Sequence, residues 1–410
     1  MASTDRPTIL LFGTLDTKLT PVLTIHSYLA SHSSNPRIFL ADTSRTPTIH
    51  PLVTHPLSSY CPIDTTALSR DAYITAVTPH LTTLLTTLAT THEIHSVISL
   101  GGSSGTALAS AAMQALPLGL PKLIITTMAS GDTSPYLGDS DLLLVPSILD
   151  IAGSNPLLNT TLHNAAFAAA SMASAYLSRL LHPHERRRKQ VAVSMFGITT
   201  PGVTHAQKLL ESSGYEVLIF HATGAGGRNM ERLVRAGEIN GVLDLTTTEV
   251  TDEICGGVLS AGPTRLTAAA EVGVPMVVST GATDCINFGP RETIPERYEG
   301  GGRKVVVHNP SVTLVRTSKE ECHHIGEVMA ERLKRAKRSE VTEIFCPMRG
   351  VSVLSVEGGA FCDFEADKML IAALKQKLEG EVMVRTLEYN VNDEGFVAEM
   401  VERLVEFMEK

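Results

Sequence analysis

The sequence predicts an α/β protein of two Rossmann-like, doubly wound subdomains, with mainly parallel sheets facing a shared cleft. Three observations carry this expectation. Short apolar runs alternate with helical patterns along most of the chain, the βαβα order of a parallel sheet covered by helices. Six of the apolar runs end in glycine and hydroxyl residues, the composition of tight strand-to-helix turns. The two halves also open alike: Ile9-Leu10-Leu11-Phe12-Gly13-Thr14 resembles Val193-Ser194-Met195-Phe196-Gly197-Ile198.

In the first half, Ile9–Phe12 reads as a strand and Thr20–Ser31 as a helix. Arg37–Leu40 is a strand, followed by a loop rich in Pro and His that runs to Pro62. Helix Arg70–Thr91, strand Ser96–Leu100, helix Thr106–Ala115 and strand Lys122–Thr126 follow. The near-continuous apolar character of Ile-Leu-Leu-Phe and Val-Ile-Ser-Leu suits strands buried on both faces. The second half restarts with strand Val191–Phe196, helix Thr204–Ser213, strand Glu216–Phe220 and helix Met230–Ala236. Strands Gly241–Leu245, Met276–Ser279 and Lys304–His308 come next. Helix Ser318–Ala336, strand Thr342–Cys346 and helices Ala366–Leu378 and Gly395–Glu409 close the chain.

Charge divides the chain in the same place. Residues 1–185 hold 11 acidic and 7 basic side chains, and residues 186–410 hold 32 and 27. The expected domains are therefore 1–185 and 186–410, joined at His182-Pro183-His184-Glu185-Arg186-Arg187-Arg188-Lys189. That basic run reads as a solvated linker after a helix end, where cations suit the dipole.

The net charge of −9 over 410 residues argues against a nucleic-acid-coating protein, which needs a basic face. No apolar stretch reaches the ~20 residues of a membrane span. The Ala- and Ser-rich Asn164–Leu181 reads instead as a closely packed helix. Six cysteines without a Cys-x-x-Cys pair read as reduced thiols in a cytoplasmic protein.

Ligands of open α/β sheets bind beyond the carboxyl ends of the strands. There the sequence places Gly13-Thr14-Leu15-Asp16-Thr17-Lys18, Gly101-Gly102-Ser103-Ser104-Gly105-Thr106 and Thr127-Met128-Ala129-Ser130-Gly131-Asp132. In the second half it places His221-Ala222-Thr223-Gly224-Ala225-Gly226-Gly227-Arg228, Thr246-Thr247-Thr248-Glu249 and Thr280-Gly281-Ala282-Thr283-Asp284. Glycine lets backbone N–H groups face a concavity, a helix N-terminus adds partial positive charge, and hydroxyls complete a shell around an anion. Asp16 is the candidate metal ligand and Lys18 a phosphate contact. Arg228 is a candidate for neutralising an anion, and Glu249 for a general base.

Several specific motifs are absent. No Walker A occurs, and Gly224-Ala225-Gly226-Gly227 lacks the third glycine of the dinucleotide fingerprint. Gly101-Gly102-Ser103-Ser104-Gly105 does fit Gly-x-Ser-x-Gly, with Ser103 as nucleophile of a serine hydrolase. His163, His205 and His221 are candidate partners that no spacing separates. His323-His324 beside Cys322 diverge by about 100° on a helix and suit no shared metal.

Together these loops resemble the family of the ATP-binding N-terminal domain of the plant tomato mosaic virus resistance protein, with its uncharacterised bacterial and fungal relatives. The matching stretches include Gly13–Lys18, Thr127–Asp132, Asp150–Gly153, Phe196–Pro201, Phe220–Arg228, Asp244–Glu249, Ser260–Pro263, Asn287–Gly289, His308–Pro310 and Glu365–Asp367. The resemblance implies two Rossmann-like subdomains, a Mg2+-ATP site and a homodimer. Leu19-Thr20-Pro21 departs from the family pattern, which continues with Gly and a carboxylate. The 43–62 loop reads as an addition of this lineage.

The resulting expectation is an ATP-binding protein with Mg2+. Its phosphates would lie on Gly101, Gly102, Ser103, Ser104, Gly105, Thr106 and Gly131, near Gly13, Thr14, Asp16, Thr17 and Lys18. Thr127, Ser130 and Asp132 would stand beside them, with His221, Thr223, Gly224, Gly226, Gly227, Thr246, Thr247 and Thr248 across the cleft. The alternatives are a nucleotide-independent enzyme for a phosphorylated or carboxylated metabolite, a serine hydrolase through Ser103, and a non-catalytic ATP-binding interaction module.

Overall fold

A computed structural model describes residues 6–182, 188–300 and 302–410. It divides into two compact units, Met1–Glu185 and Arg186–Lys410. Most of the basic junction, residues 183–187, lies outside the described residues.

The first unit runs β1 (Thr8–Gly13), α1 (Leu15–Ser31), β2 (Arg37–Asp42), α2 (Leu57–Tyr60), α3 (Arg70–Thr90) and β3 (Ser96–Gly101). It continues with α4 (Ser103–Gln114), β4 (Lys122–Thr126), α5 (Ser134–Leu137), β5 (Leu143–Pro146) and α6 (Pro156–Leu181). The five strands are parallel in the order β2-β1-β3-β4-β5. Successive side chains alternate between faces. Leu10, Phe12, Val97 and Ile124 pack on α3 and α4. Ile9, Leu11, Ile98 and Ile125 pack on α1 and α6.

Helix α6 begins at Asn155, whose side chain accepts from Leu158 N, with Pro156 in the first turn. Its fully buried Ala166, Ala169, Ala170 and Ala173 let it lie close to the sheet. Among the described residues no helix is long and apolar enough to cross a membrane.

The second unit runs β6 (Gln190–Met195), α7 (Thr200–Ser212), β7 (Glu216–His221), α8 (Ala225–Arg235), β8 (Gly241–Asp244), α9 (Thr248–Cys255), α10 (Ala268–Val272) and β9 (Met276–Ser279). Then come β10 (Cys285–Phe288), β11 (Val305–Asn309), β12 (Val312–Arg316), α11 (Lys319–Leu333), β13 (Thr342–Pro347), α12 (Phe364–Leu378), β14 (Met383–Leu387) and α13 (Glu394–Glu409). Six parallel strands are ordered β14-β13-β9-β8-β6-β7. Their first five in chain order repeat the 2-1-3-4-5 arrangement of the first unit.

The residual strands form a separate antiparallel sheet, β10-β12-β11. The sequence places Lys304–His308 among the parallel strands, and the structure corrects this. β10 and β12 have no clear signal because Asn287 and Thr313 interrupt their apolar pattern, yet both are fully buried.

The core of this unit carries ionisable groups. Arg316 reaches Asp367 Oδ1 and lies in the field of Asp284, which accepts from Ser352 Oγ at 2.6 Å. Asp284 Oδ1 and Asp367 Oδ2 are both buried with no hydrogen-bond partner among the described residues. Loss of solvent raises both carboxyls; Arg316 opposes the rise, and Asp367 moves from 3.8 to about 7.

A carboxyl whose pKa is raised by folding holds its proton more tightly when folded. This contribution is therefore full below about pH 4 and is lost as pH rises through about 7. Urea unfolding at pH 5 and pH 8 is expected to show the wild type losing more stability with rising pH than Asp367→Asn. Equal pH slopes would remove this assignment.

Candidate functional site

In the first unit the chain order reverses between β1 and β3, where a crevice opens beyond the strand ends. The loops after these two strands line it, and together with neighbouring groups they enclose a cavity of about 370 Å³. Thr14, Asp16, Thr17 and Lys18 form one wall, and Gly102, Ser103, Ser104 and Gly105 another. Arg45, Arg70 and Tyr73 complete it.

Each wall has a local reason. Helix α4 is capped by Gly102, which has no side chain to occupy the first N–H groups of the helix. Gly101 is needed behind it, since a Cβ there would stand 2.8 Å from Gly105 Cα. The start of α1 is irregular: Lys18 leaves helical geometry at φ −127° and donates through Nζ to Ile151 O at 2.5 Å. Its ammonium also lies 3.9 Å from Asp150. Asp16 N donates to Ser44 Oγ at 2.9 Å, which ties the helix start to the loop after β2.

That loop is organised around a buried carboxylate. Asp42 accepts from Ser44 N at 2.9 Å and Thr48 N at 2.8 Å, and Tyr60 Oη donates to its carbonyl at 2.6 Å. Tyr73 Oη donates to Thr43 O, and burial, then the nearby charges of Asp16 and Asp42, push its phenol up. Arg45 is held through its carbonyl, which accepts from Thr65 Oγ1 at 2.8 Å, and through a guanidinium bond to Leu68 O. Its Nε is buried without a hydrogen-bond partner among the described residues.

Arg45, Arg70 and Tyr73 escaped the sequence reading. They follow no strand directly, and Arg45 belongs to the loop read as a lineage addition. A basic residue beside the hydroxyl pair Thr43-Ser44 was the available signal.

The remaining first-unit candidates separate. Thr127 and Ser130 line a neighbouring cavity of about 430 Å³ with Pro146–Asp150. In its rim, Ile148 holds φ +62°, an unusual conformation for a β-branched residue. Asp132 accepts from Ser134 Oγ and N, closing its own turn and lowering its carboxyl. Gly13, Gly101, Gly131 and Asp132 line neither cavity. Thr106 is buried, and its hydroxyl engages Gly101 O and Thr126 Oγ1, so it corrects from ligand contact to internal brace.

Ser103 lacks both features of a nucleophile elbow. It is not among the residues with positive φ, and among the described residues no histidine lines its cavity.

The second unit uses its loops differently. Its order reverses between β6 and β8, and there Thr199 Oγ1 meets Thr246 Oγ1 at 2.7 Å, filling the equivalent position. Thr246, Thr247 and Thr248 are fully buried. Their hydroxyls bond Ser194 O, Ser279 O and Cys285 O.

The glycine-rich turn before α8 already holds an anion of the protein itself. Glu249 Oε1 accepts from Gly224 N at 2.7 Å and Gly227 N at 3.0 Å. Its Oε2 accepts from Arg265 Nε at 2.7 Å. Arg265 is fully buried and also clamps Asp244 with two nitrogens and approaches Glu231 at 3.4 Å. Glu249 is thus no exposed base; it takes the amides of Gly224 and Gly227 that the sequence assigns to a bound ligand. Arg228 donates to Ser260 O at 2.7 Å, bracing the same turn. His221 and Thr223 line a separate cavity. The absence of any cation signal near Asp244 hid Arg265, which lies 21 residues away in sequence.

Residues 7–178 match the family described as "Uncharacterised protein family (UPF0261) N-terminal domain", and residues 188–408 its C-terminal domain. A UPF0261 protein of Clostridium tetani is 48% identical over 318 residues, 77% of each chain. The tomato mosaic virus (ToMV) resistance protein Tm-1(GCR237) of Solanum lycopersicum is 42% identical over 344 residues, 83% of this chain and 45% of its own length. Among solved structures, UDP-GlcNAc 2-epimerase from Neisseria meningitidis is 10% identical over 66% of this chain and 82% of its own, with a TM-score of 0.23, too distant to argue from.

Proposed function

From the premise that this chain belongs to the uncharacterised protein family UPF0261, we propose that its first unit binds a phosphate-bearing ligand, Mg2+-ATP foremost, in the crevice between β1 and β3. One observation carries the reading. Three cations, Lys18, Arg45 and Arg70, converge with the side-chain-free N-terminus of α4 on a single cavity. Partial and full positive charges sharing one concavity favour a multiply charged anion.

The donor set fits magnesium only in the company of phosphate. Asp16 is the one carboxylate lining the cavity, and no group of three metal-binding side chains occurs among the described residues. Mg2+ is commonly held by one or two carboxylates together with substrate phosphates. Bound there, it would neutralise phosphate charge. Lys18 and Arg45 would pair with phosphate oxygens, the α4 amides and the Ser103 and Ser104 hydroxyls would orient them, and Thr14 and Thr17 would complete the shell.

The size of the cavity favours a second reading. At about 370 Å³ it lies near the lower end of ligand sites, so a sugar phosphate or small phosphorylated acid fits wholly inside. ATP would extend its base beyond the walls described.

Thermal unfolding with ATP, ATP with Mg2+, ribose 5-phosphate and inorganic phosphate separates the two. Ligand at about a hundred times its Kd stabilises the native state by ~2.7 kcal/mol. Arg45→Ala is expected to weaken binding ten- to hundredfold, since a charge-assisted hydrogen bond contributes about 1.5–3 kcal/mol. Stabilisation by ATP only with Mg2+ supports the first reading, and stabilisation by ribose 5-phosphate alone supports the second. No shift with any of the four, or undiminished binding by Arg45→Ala, would overturn the site.

A further inference from the structure

Three sequence stretches that the crevice leaves unused meet in the second unit. Phe196–Ile198 after β6, His221 and Thr223 after β7, and His308–Asn309 at the end of β11 line one cavity of about 240 Å³. Its other walls are Leu259, Val312 and Leu314. The cavity lies beyond the carboxyl ends of β6 and β7, where α/β sheets take ligands.

The lining divides into an apolar body and a polar edge. Phe196, Ile198, Leu259, Val312 and Leu314 offer only hydrocarbon and an aromatic ring. His221 and His308 are exposed, at the rim. Phe196 stands edge-on to His221, with ring centroids 5.7 Å apart and planes at 61°, which sets the orientation of both rings. The pairing of β11 with β12 shifts register between Val307 and Asn309, placing His308 on a bulge. Bulges re-aim side chains beside functional sites. Asn309 Oδ1 is occupied by Ser311 N at 2.8 Å, which leaves its amide nitrogen as a donor.

The dimensions select a small ligand. A dry cavity of about 150 Å³ admits benzene, so 240 Å³ holds one six-membered ring and a short substituent. The polar groups at the rim are imidazoles and an amide, all able to donate to an acceptor.

We propose that this cavity binds a monocyclic aromatic carboxylate, its ring against Phe196, Ile198 and Leu259 and its carboxylate at His221 and His308. The site is independent of the phosphate crevice, since every residue in it belongs to the second unit.

Gly197 provides the test. A Cβ built there meets nothing within 4 Å, and its φ is not positive, so Gly197→Leu enters open space without backbone strain. The full chain is titrated with benzoate, benzyl alcohol and adenosine, followed by saturation-transfer NMR and by melting temperature. Saturable benzoate binding is expected, lost in Gly197→Leu and weakened about tenfold or more in His308→Ala. Benzyl alcohol is expected to bind more weakly than benzoate. If Gly197→Leu does not retain the wild-type melting temperature, Leu259→Phe replaces it as the occluding variant.

The proposal falls if the wild type shows no saturable benzoate binding, or if both occluding variants bind it unchanged. Unchanged binding by His308→Ala, or benzyl alcohol binding as tightly as benzoate, overturns the carboxylate contact. Adenosine binding that Gly197→Leu abolishes, without benzoate binding, reassigns the cavity to a nucleobase.

Discussion

Replacing Arg265 with methionine is expected to destabilise the second unit by about 3–5 kcal/mol, the cost of leaving buried charge without its partner. Arg265 is fully buried and serves three carboxylates: Asp244, Glu249 and Glu231. Its Nε and both terminal nitrogens are engaged. Methionine supplies similar bulk but no positive charge, so three buried carboxyls would lose their cation together.

Glu231 is only partly protected by its bonds from Leu266 N and Ala268 N, each at 2.7 Å, because burial already raises its carboxyl. Arg265→Lys is not expected to rescue, since an ammonium cannot bridge Asp244 and Glu249 with a planar fork. Urea unfolding of the two variants measures this. A loss below about 1 kcal/mol, the range of an exposed ion pair, would show that the network contributes little.

The second large effect is expected at the glycine-rich turn. In Gly226→Ala the new Cβ would lie 1.9 Å from His221 O, a backbone atom that cannot turn aside. The neighbouring Gly227 has its own constraint, since a Cβ there would lie 2.1 Å from Glu249 Oε2. Gly226→Ala must therefore displace the chain between β7 and α8, together with the amides that hold Glu249. The expected loss is about 3 kcal/mol, at the upper end for overpacked sites. Gly237→Ala is a control for the removal of a glycine: its φ is +76° but no atom lies within 4 Å of its Cβ. If the two variants melt together, the close approach is not what makes Gly226 necessary.

Glycine-rich turns at strand ends mark sites where backbone amides face an anion, and the turn at Gly224–Gly227 does so. The anion is Glu249, delivered from the first turn of α9 and held by Arg265. A sequence shows that amides are available; it does not show which carboxylate reaches them first. At α4 no side chain among the described residues caps the helix, which begins at Gly102, and the crevice remains lined by three cations.

The inner strands of both parallel sheets were legible because burial on two faces demands continuous apolar runs, and Ile9–Phe12, Ser96–Leu100 and Met276–Ser279 supply them, whereas the partly exposed edge strands β5 and β14 escaped. The shared opening of the two halves pointed to two related doubly wound units, and the structure gives both the same strand order. The antiparallel β10-β12-β11 sheet was not legible, since Asn287 and Thr313 are buried through tertiary contacts that no local pattern announces.

The same division holds for function. By itself the sequence determined the α/β class, the glycine- and hydroxyl-rich turns at the strand ends and the first wall of the crevice, because these follow from local periodicity and backbone freedom. Only the tertiary structure decided which turns stay open. Arg45 and Arg70 join Lys18 through the loop after β2, while Glu249 and Thr246 close their own turns. Charge and hydrogen-bond satisfaction depend on what folding brings within 3 Å, and sequence order does not encode that distance.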